Sequence, residues 1–234
     1  MEKRLGEYAD RGDYHEQHDP DWKYLPVYLA KRARVDRFLE TRREARIIDL
    51  GCGEGALVKA FRAKGYNITG MDLHYESEYV QRGSILQTGY PDGSFDLVLC
   101  LDVIEHLSFD DQLRALDEMQ RLLRPGGTLL LSVPNLAHLA SRLSFLVRGK
   151  LIRTSSIDRH PGDRPLGEYR RLLAERFAVR RIEGIFPTFP LISLLTWWKP
   201  ATSVPFHRVY NRLLALPGWC FLTLFTCEKA GAQA

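Results

Sequence analysis

RIIDLGCGEG, residues 46–55, joins a short apolar run ending in an acid to three closely spaced glycines. Ile47, Ile48 and Leu50 suit a buried strand, Gly51, Gly53 and Gly55 permit a tight turn with close backbone approach, and Ala56 onward reads as a helix. A second apolar run, NITGMD, closes on Asp72, 21 positions beyond Gly51, the spacing at which a carboxylate reaches ribose hydroxyls. By residue type alone, two nucleotide cradles stay open. Gly51, Gly53 and Ala56 also satisfy the dinucleotide fingerprint G-x-G-x-x-G/A, which keeps a nicotinamide or flavin enzyme as a competitor. Asp49 departs from that fingerprint, because the strand ahead of its glycines usually stays apolar to its end, and a carboxylate there can meet a cationic ligand group. A plain turn with a strand-capping acid is the third reading.

Working outward, an amphipathic helix is expected from about Pro26 to Glu40. The helix after Ala56 sets Leu57, Ala60 and Phe61 on one face and ends at Gly65. A weak strand follows at Tyr79 to Arg82, then a turn at PDGS, 91–94, and the continuously apolar FDLVLCL, 95–101, which reads as a fully buried strand. Ser108 with Asp111 resembles a capping box for a helix marked by Phe109, Leu113, Leu116 and Leu123, stopping at Arg124, before the strand TLLLSVP. This alternation predicts a doubly wound, mostly parallel α/β sheet that binds its ligand at the strand carboxyl ends. Beyond Pro134 the expected elements are a helix over Leu136 to Val147, a basic loop over Arg148 to Pro165, a helix from Leu166 to Arg176 and the strand FAVRRIEG. Helices over Leu191 to Trp198 and Phe206 to Leu216 follow, with a last strand from Trp219 to Glu228.

With 234 residues, 45% hydrophobic and 26% charged, the chain has the size of one α/β domain. Its net charge of +4 is concentrated in KRARVDRFLETRREAR, residues 31–46. Tyr28, Val35, Phe38 and Leu39 recur there at helical spacing, so the basic residues read as a solvated helix face. Cys52, Cys100, Cys220 and Cys227 form no C-x-x-C pair. The opening MEKRLGEYAD lacks signal-peptide character, and no apolar run reaches 18 residues, so a cytoplasmic setting is expected. Residues 1–24, with Tyr8, Tyr14, His15, His18 and Trp22, form an irregular arm that could fold over a bound ligand.

Four blocks in order, IIDLGCGEG, GMDL, DGSFDLVLCLDVIEHL and LLRPGGTLLLSVPN, cover residues 26–134. With them the chain resembles the class I S-adenosylmethionine-dependent methyltransferases, in particular the small-molecule branch that includes the ubiquinone-biosynthesis O-methyltransferases. The resemblance implies a Rossmann-like, mostly parallel seven-stranded sheet with helices on both faces and the last strand antiparallel. It implies one methyltransferase domain over 1–234: an arm and helix to 45, a cofactor-binding core over 46–134, and substrate-side helices with the final strands over 135–234. Asp49 and the backbone of Gly51, Cys52, Gly53 and Gly55 would face the methionine moiety of S-adenosyl-L-methionine. Asp72 would hold the ribose hydroxyls and Leu73 would pack on the adenosine. Where the family commonly carries an acid for the adenine amino group this chain has Ser84, with Ile85 offering a backbone amide or apolar cover, and Leu101 and Asp102 would border the sulfonium.

Transfer to a hydroxyl gains from a general base, for which His106, Glu105 and His160 are the candidates. Related O-methyltransferases hold a divalent ion with a similar Glu-x-x-Glu-His, so Asp102, Glu105 and His106 form a less favoured metal reading; the expectation is no resident metal. The stretch GIFPTFPLISLLTWWKP, 184–200, is denser in apolar residues than one helix face needs. It reads either as cover for a sheet edge, or as an apolar lid or a membrane-surface element that makes peripheral contact with the inner membrane face through 185–199. Arg148, Lys150, Arg153, Arg159 and Arg164 make a basic loop, but base-stacking motifs are absent, so a small-molecule or lipid-linked acceptor, methylated at oxygen, is expected in preference to nucleic acid. The alternative is a protein that binds the cofactor without catalysis.

Overall fold

The structure is a computed structural model that describes residues 18–153 and 155–230. Its elements are α1 (Leu25–Glu40), β1 (Ile47–Leu50), α2 (Ala56–Arg62), β2 (Ile68–Asp72), β3 (Val80–Arg82), β4 (Phe95–Leu101), a 3₁₀ turn (Ile104–His106), α3 (Phe109–Leu122) and β5 (Leu123–Pro134). Then come α4 (Leu139–Arg148), α5 (Leu166–Ala174), β6 (Ala178–Pro187), α6 (Pro190–Trp198), α7 (Pro200–Leu213) and β7 (Cys220–Glu228). The seven strands lie in the order β3-β2-β1-β4-β5-β7-β6, parallel except for β7, which runs antiparallel to both of its neighbours. This is the expected doubly wound sheet.

Strand β4 shows why its sequence does not alternate. It pairs with β1 on one side and β5 on the other, and both of its faces are covered. Val98 and Cys100 join a cluster with Leu116 and Met119 of α3 and Tyr169 of α5, while Leu97 and Leu99 join Val35 and Leu39 of α1 and Phe61 of α2. Each fully buried aliphatic side chain contributes about 1.5–3 kcal/mol, so this two-sided packing holds the strand ends of the sheet in place.

Several boundaries differ from expectation for identifiable reasons. The Ser108 hydroxyl does accept from the Asp111 N–H and cap α3, but the buried face runs through Ala115, Leu116, Met119 and Leu122, leaving Phe109 half exposed. Leu123 already belongs to β5, where it pairs with Phe95. Pro200 opens α7 at a helix start, where a missing N–H costs nothing, and the helix continues through Pro205, so it begins well before Phe206. Within 185–199, Ile185, Phe186 and Ile192 are buried, whereas Trp197 and Trp198 face outward. Of the aromatic arm, Tyr8, Tyr14 and His15 lie outside the described residues, and the ring of Trp22 packs near Tyr24 and Tyr28. Among the described residues, no helix is long and apolar enough to cross a membrane.

Candidate functional site

The glycine turn after β1 is built by three residues with left-handed backbone: Gly51 (φ +73°), Gly53 (φ +57°) and Gly55 (φ +81°). They are not equivalent. A Cβ on Gly51 would lie 2.5 Å from a Val103 methyl, and one on Gly55 would lie 2.4 Å from a Val80 methyl, whereas one on Gly53 would meet nothing within 4 Å. Gly51 and Gly55 therefore seat the turn against the protein, and Gly53 presents bare backbone to open space.

Asp72 ends β2 beside this turn. Its Oδ2 accepts from the Gly53 N–H at 2.9 Å and its Oδ1 from the His74 N–H at 2.8 Å. Each carboxylate oxygen keeps a lone pair, enough for the two hydroxyls of a vicinal diol. Leu73, next in sequence, stands more than half exposed. Ser84 uses its hydroxyl to accept from the Leu86 N–H within its own turn, and the Ile85 side chain is part of the core.

Asp49 is buried in β1. Burial pushes its pKa up to about 7, against the opposing pull of Lys31 and Arg32 and with a further push from Asp72. A buried carboxylate in this state gains from a cationic ligand group.

At the tip of β4, Leu101 is partly buried and Asp102 adopts φ +59°, a backbone state rare for a residue with a side chain. Its Oδ2 accepts from Lys31 Nζ at 2.6 Å and from the Tyr24 hydroxyl at 2.7 Å, and its Oδ1 accepts from the Ser132 hydroxyl. Burial alone would raise the Asp102 pKa, but Lys31 foremost, with Ser132 and Tyr24, holds it below the usual carboxylate value. Glu105 goes the other way: burial first, then the charge of Asp102, pushes it well up, and its Oε2 has no hydrogen-bond partner among the described residues.

The loop 156–165 is clamped onto the 3₁₀ turn. Gln112 Nε2 donates to the carbonyls of Ile104 (2.9 Å) and Gly162 (2.8 Å), the Gly162 N–H donates to Glu105 O, and a Cβ at Gly162 would collide with Gln112. The clamp brings His160 edge-on to His106, with ring centroids 4.5 Å apart, and sets His160 Nδ1 3.4 Å from Asp163 Oδ1. His106 Nδ1 lies 2.9 Å from the Arg159 carbonyl. A carbonyl only accepts, so Nδ1 carries the proton and Nε2 of the neutral ring holds a free lone pair. Packing around the ring, then His160, lowers the His106 pKa and favours that neutral form.

His106 and His160 thus meet ring to ring, Glu105 shares the 3₁₀ turn with His106, and Asp102 stands electrostatically next to Glu105. Tyr24, Lys31, Ser132 and Asp163 join them without having been singled out in the sequence. The metal reading does not fit this arrangement. The Asp102 carboxylate is taken up by an ammonium, a phenol and a hydroxyl, and no group of three potential ligands among the described residues is placed to hold an ion.

Comparison with known proteins follows this geometry. A family model described as a methyltransferase domain matches residues 22–201. The chain is 29% identical over 138 residues to the ubiquinone biosynthesis O-methyltransferase of Dechloromonas aromatica, covering 52% of this chain and 59% of that protein. It is 33% identical over 135 residues to the protein of the same name from Xanthomonas campestris, covering 50% and 55%. The match therefore spans little more than half the length of these curated relatives. Among solved structures, a SAM-dependent methyltransferase from Archaeoglobus fulgidus superposes with a TM-score of 0.60 at 16% identity, over 95% of this chain and 100% of that one, which establishes a shared fold.

Proposed function

The chain belongs to the methyltransferase-domain family, and from that premise we propose that it uses S-adenosyl-L-methionine to methylate an oxygen of a small-molecule acceptor carried on a lipid. The observation that carries this reading is the buried Asp49 carboxylate, its pKa pushed up to about 7 by that burial, at the same glycine turn where Asp72 keeps two lone pairs. A ligand with a cation at one end and a ribose diol at the other satisfies both, and the relatives' names point to the same cofactor and to an oxygen acceptor.

Asp49 would meet the cofactor's ammonium group, with the backbone of Gly51, Cys52, Gly53 and Gly55 lining the methionine moiety. Asp72 would accept from the two ribose hydroxyls, Leu73 would pack on the adenine, and the backbone at Ile85, beside Ser84, would meet its edge. When bound, the cofactor supplies an electrophilic methyl on a positively charged sulfur. Leu101 and Asp102 border that position, and Lys31 with Tyr24 keeps Asp102 ionised and oriented there. His106 Nε2 is the base that takes the acceptor's hydroxyl proton; Glu105, its pKa pushed up by burial and by Asp102, and His160 lie beside it. Alignment of the hydroxyl contributes about 7–11 kcal/mol of barrier reduction and the base a further factor of roughly 10² to 10⁴.

The test is incubation with methyl-labelled cofactor and a cell lipid extract, followed by mass spectrometry. Label on an oxygen of an organic-soluble product is expected. Label confined to nucleic acid, or none transferred while the cofactor binds, would overturn the reading.

A further inference from the structure

Two stretches of this chain, 119–157 and 184–227, contain no Asp or Glu. Apart from the core strands inside them, they supply α4 and the pair α6 and α7. Both excursions leave the sheet at one end, α4 after β5 closes at Pro134 and α6 after β6 closes at Pro187, which is the carboxyl end of the parallel strands where Asp49, Asp72 and Asp102 stand. The excursions adjoin: Arg142 of α4 donates to the Gly218 carbonyl, His138 Nδ1 lies 3.0 Å from Thr188 Oγ1, and the Phe189 ring packs on Trp219 and Tyr210.

Their outer surface is apolar and cationic. At the end of α4, Leu146 and Val147 are each 81% exposed. At the corner of α6 and α7, Trp197 is 67% and Trp198 74% exposed, with Lys199 Nζ over the Trp198 ring. Along α7, Phe206, Val209 and Leu213 form an outward stripe at helical spacing, while Ser203 and His207 are buried on the opposite side. Arg148, Lys150, Lys199, Arg208 and Arg212 are interleaved with these residues. Large apolar side chains exposed in groups on neighbouring elements mark an interaction surface. Tryptophans beside lysine, on short helices that cannot span a bilayer, suit the boundary between headgroups and acyl chains. The cations of the two stretches outnumber the acids near them, Asp19 and Asp21, whose segment meets the start of α7 through the Ala201 N–H to Pro20 O bond and adds Lys23 over the Trp197 ring. This excess complements an anionic surface.

We propose that this face docks the protein onto an anionic lipid bilayer, with the rim of the cofactor site turned toward the membrane. The inference rests on the proposed function only in taking the site to receive a lipid-linked acceptor. It extends the membrane contact from residues 185–199 to α4 and the outer stripe of α7, and removes Ile185, Phe186 and Ile192 from it, since these are buried.

The experiment is co-sedimentation of the full chain with vesicles of phosphatidylcholine alone and of phosphatidylcholine mixed with phosphatidylglycerol, at low and raised salt. At least about tenfold tighter partitioning onto the phosphatidylglycerol vesicles is expected, weakening with salt. Two variants at exposed positions should abolish it: one with Leu146→Ser, Val147→Ser, Trp197→Ser and Trp198→Ser, the other with Lys199→Glu, Arg208→Glu and Arg212→Glu. Both should keep the native chain's affinity for S-adenosyl-L-methionine by calorimetry, which shows that they fold. Equal partitioning onto both vesicles, none onto either, or sedimentation velocity showing a dimer that the first variant dissociates would overturn the proposal. Vesicle binding without cofactor binding would overturn the proposed function and leave the docking surface standing, and the converse result would do the reverse.

Discussion

Lys31 Nζ lies 2.6 Å from Asp102 Oδ2, tying α1 to the tip of β4 across 71 positions of sequence. Both side chains are largely buried, so the pair is well shielded from water. Removing one partner of such a pair is far more damaging than removing both, because the survivor is left as an uncompensated charge. Lys31→Met should cost about 3 kcal/mol of stability at neutral pH, and Lys31→Met combined with Asp102→Asn should recover at least half of it. Urea unfolding of the two variants checks this, and strictly additive losses would contradict it.

With Asp49 facing the cofactor's ammonium group, as proposed, cofactor affinity should depend on pH. Its folded pKa of about 7 means that the carboxyl is protonated in the free site below neutrality, while a cationic ligand needs it ionised. Affinity should fall about tenfold for each pH unit below 7, and Asp49→Asn should flatten that dependence while weakening binding at pH 8. The stability effect has the opposite sense. Because the folded pKa is raised, the unfolded carboxyl ionises first, and stability declines as pH rises from about 4 to 7. Asp49→Asn should remove that decline and raise the melting temperature of the free protein at pH 8. Calorimetry across pH 5.5–8.5 and thermal unfolding test the two halves separately.

Gly51 and Gly53 should separate folding from binding. Gly51→Ala adds a collision with Val103 to a left-handed backbone and should destabilise the protein strongly. Gly53→Ala adds only the backbone cost, about 1–2 kcal/mol, and should fold yet lose cofactor affinity because its methyl enters the open cradle. Equal melting temperatures for the two variants would count against this division.

His106→Asn should lower kcat by roughly 10²- to 10⁴-fold with cofactor affinity changed less than about twofold. With the native histidine, the acidic limb of the kcat profile should lie below the ordinary histidine value, since burial and His160 lower its pKa. An unchanged kcat in the variant would remove His106 from the reaction.

Much of this architecture is legible in sequence because it rests on local rules. Continuous apolar character marked β4, glycines marked the turn after β1, and Ser108 marked the start of α3. The unread part is relational. Reading 31–46 as a solvated face missed that Lys31 falls on one stripe with Tyr24, Tyr28, Val35 and Leu39, of which Tyr28, Val35 and Leu39 are buried. A lone charge on a buried stripe signals a distant counter-charge, but periodicity does not say that the partner is Asp102. Ser132 gave a similar signal, as the one hydroxyl between Leu131 and Val133 in an apolar strand. Asp163 is three positions from His160, yet only the Gln112 clamp turns that loop onto His106. The start of α7 was not legible because proline usually disfavours a helix interior, whereas here Pro200 opens the helix and Pro205 is carried within it.

The central claim is that Asp72 and the glycine turn form a cradle for S-adenosyl-L-methionine. Calorimetric titration of the native chain and of Asp72→Ala with that cofactor tests it most directly. Hydrogen bonds to a charged acceptor contribute about 1.5–3 kcal/mol each, so the native chain should bind one equivalent and the variant should bind at least about tenfold more weakly. No heat of binding for the native chain, or equal affinity for the two proteins, would contradict the account.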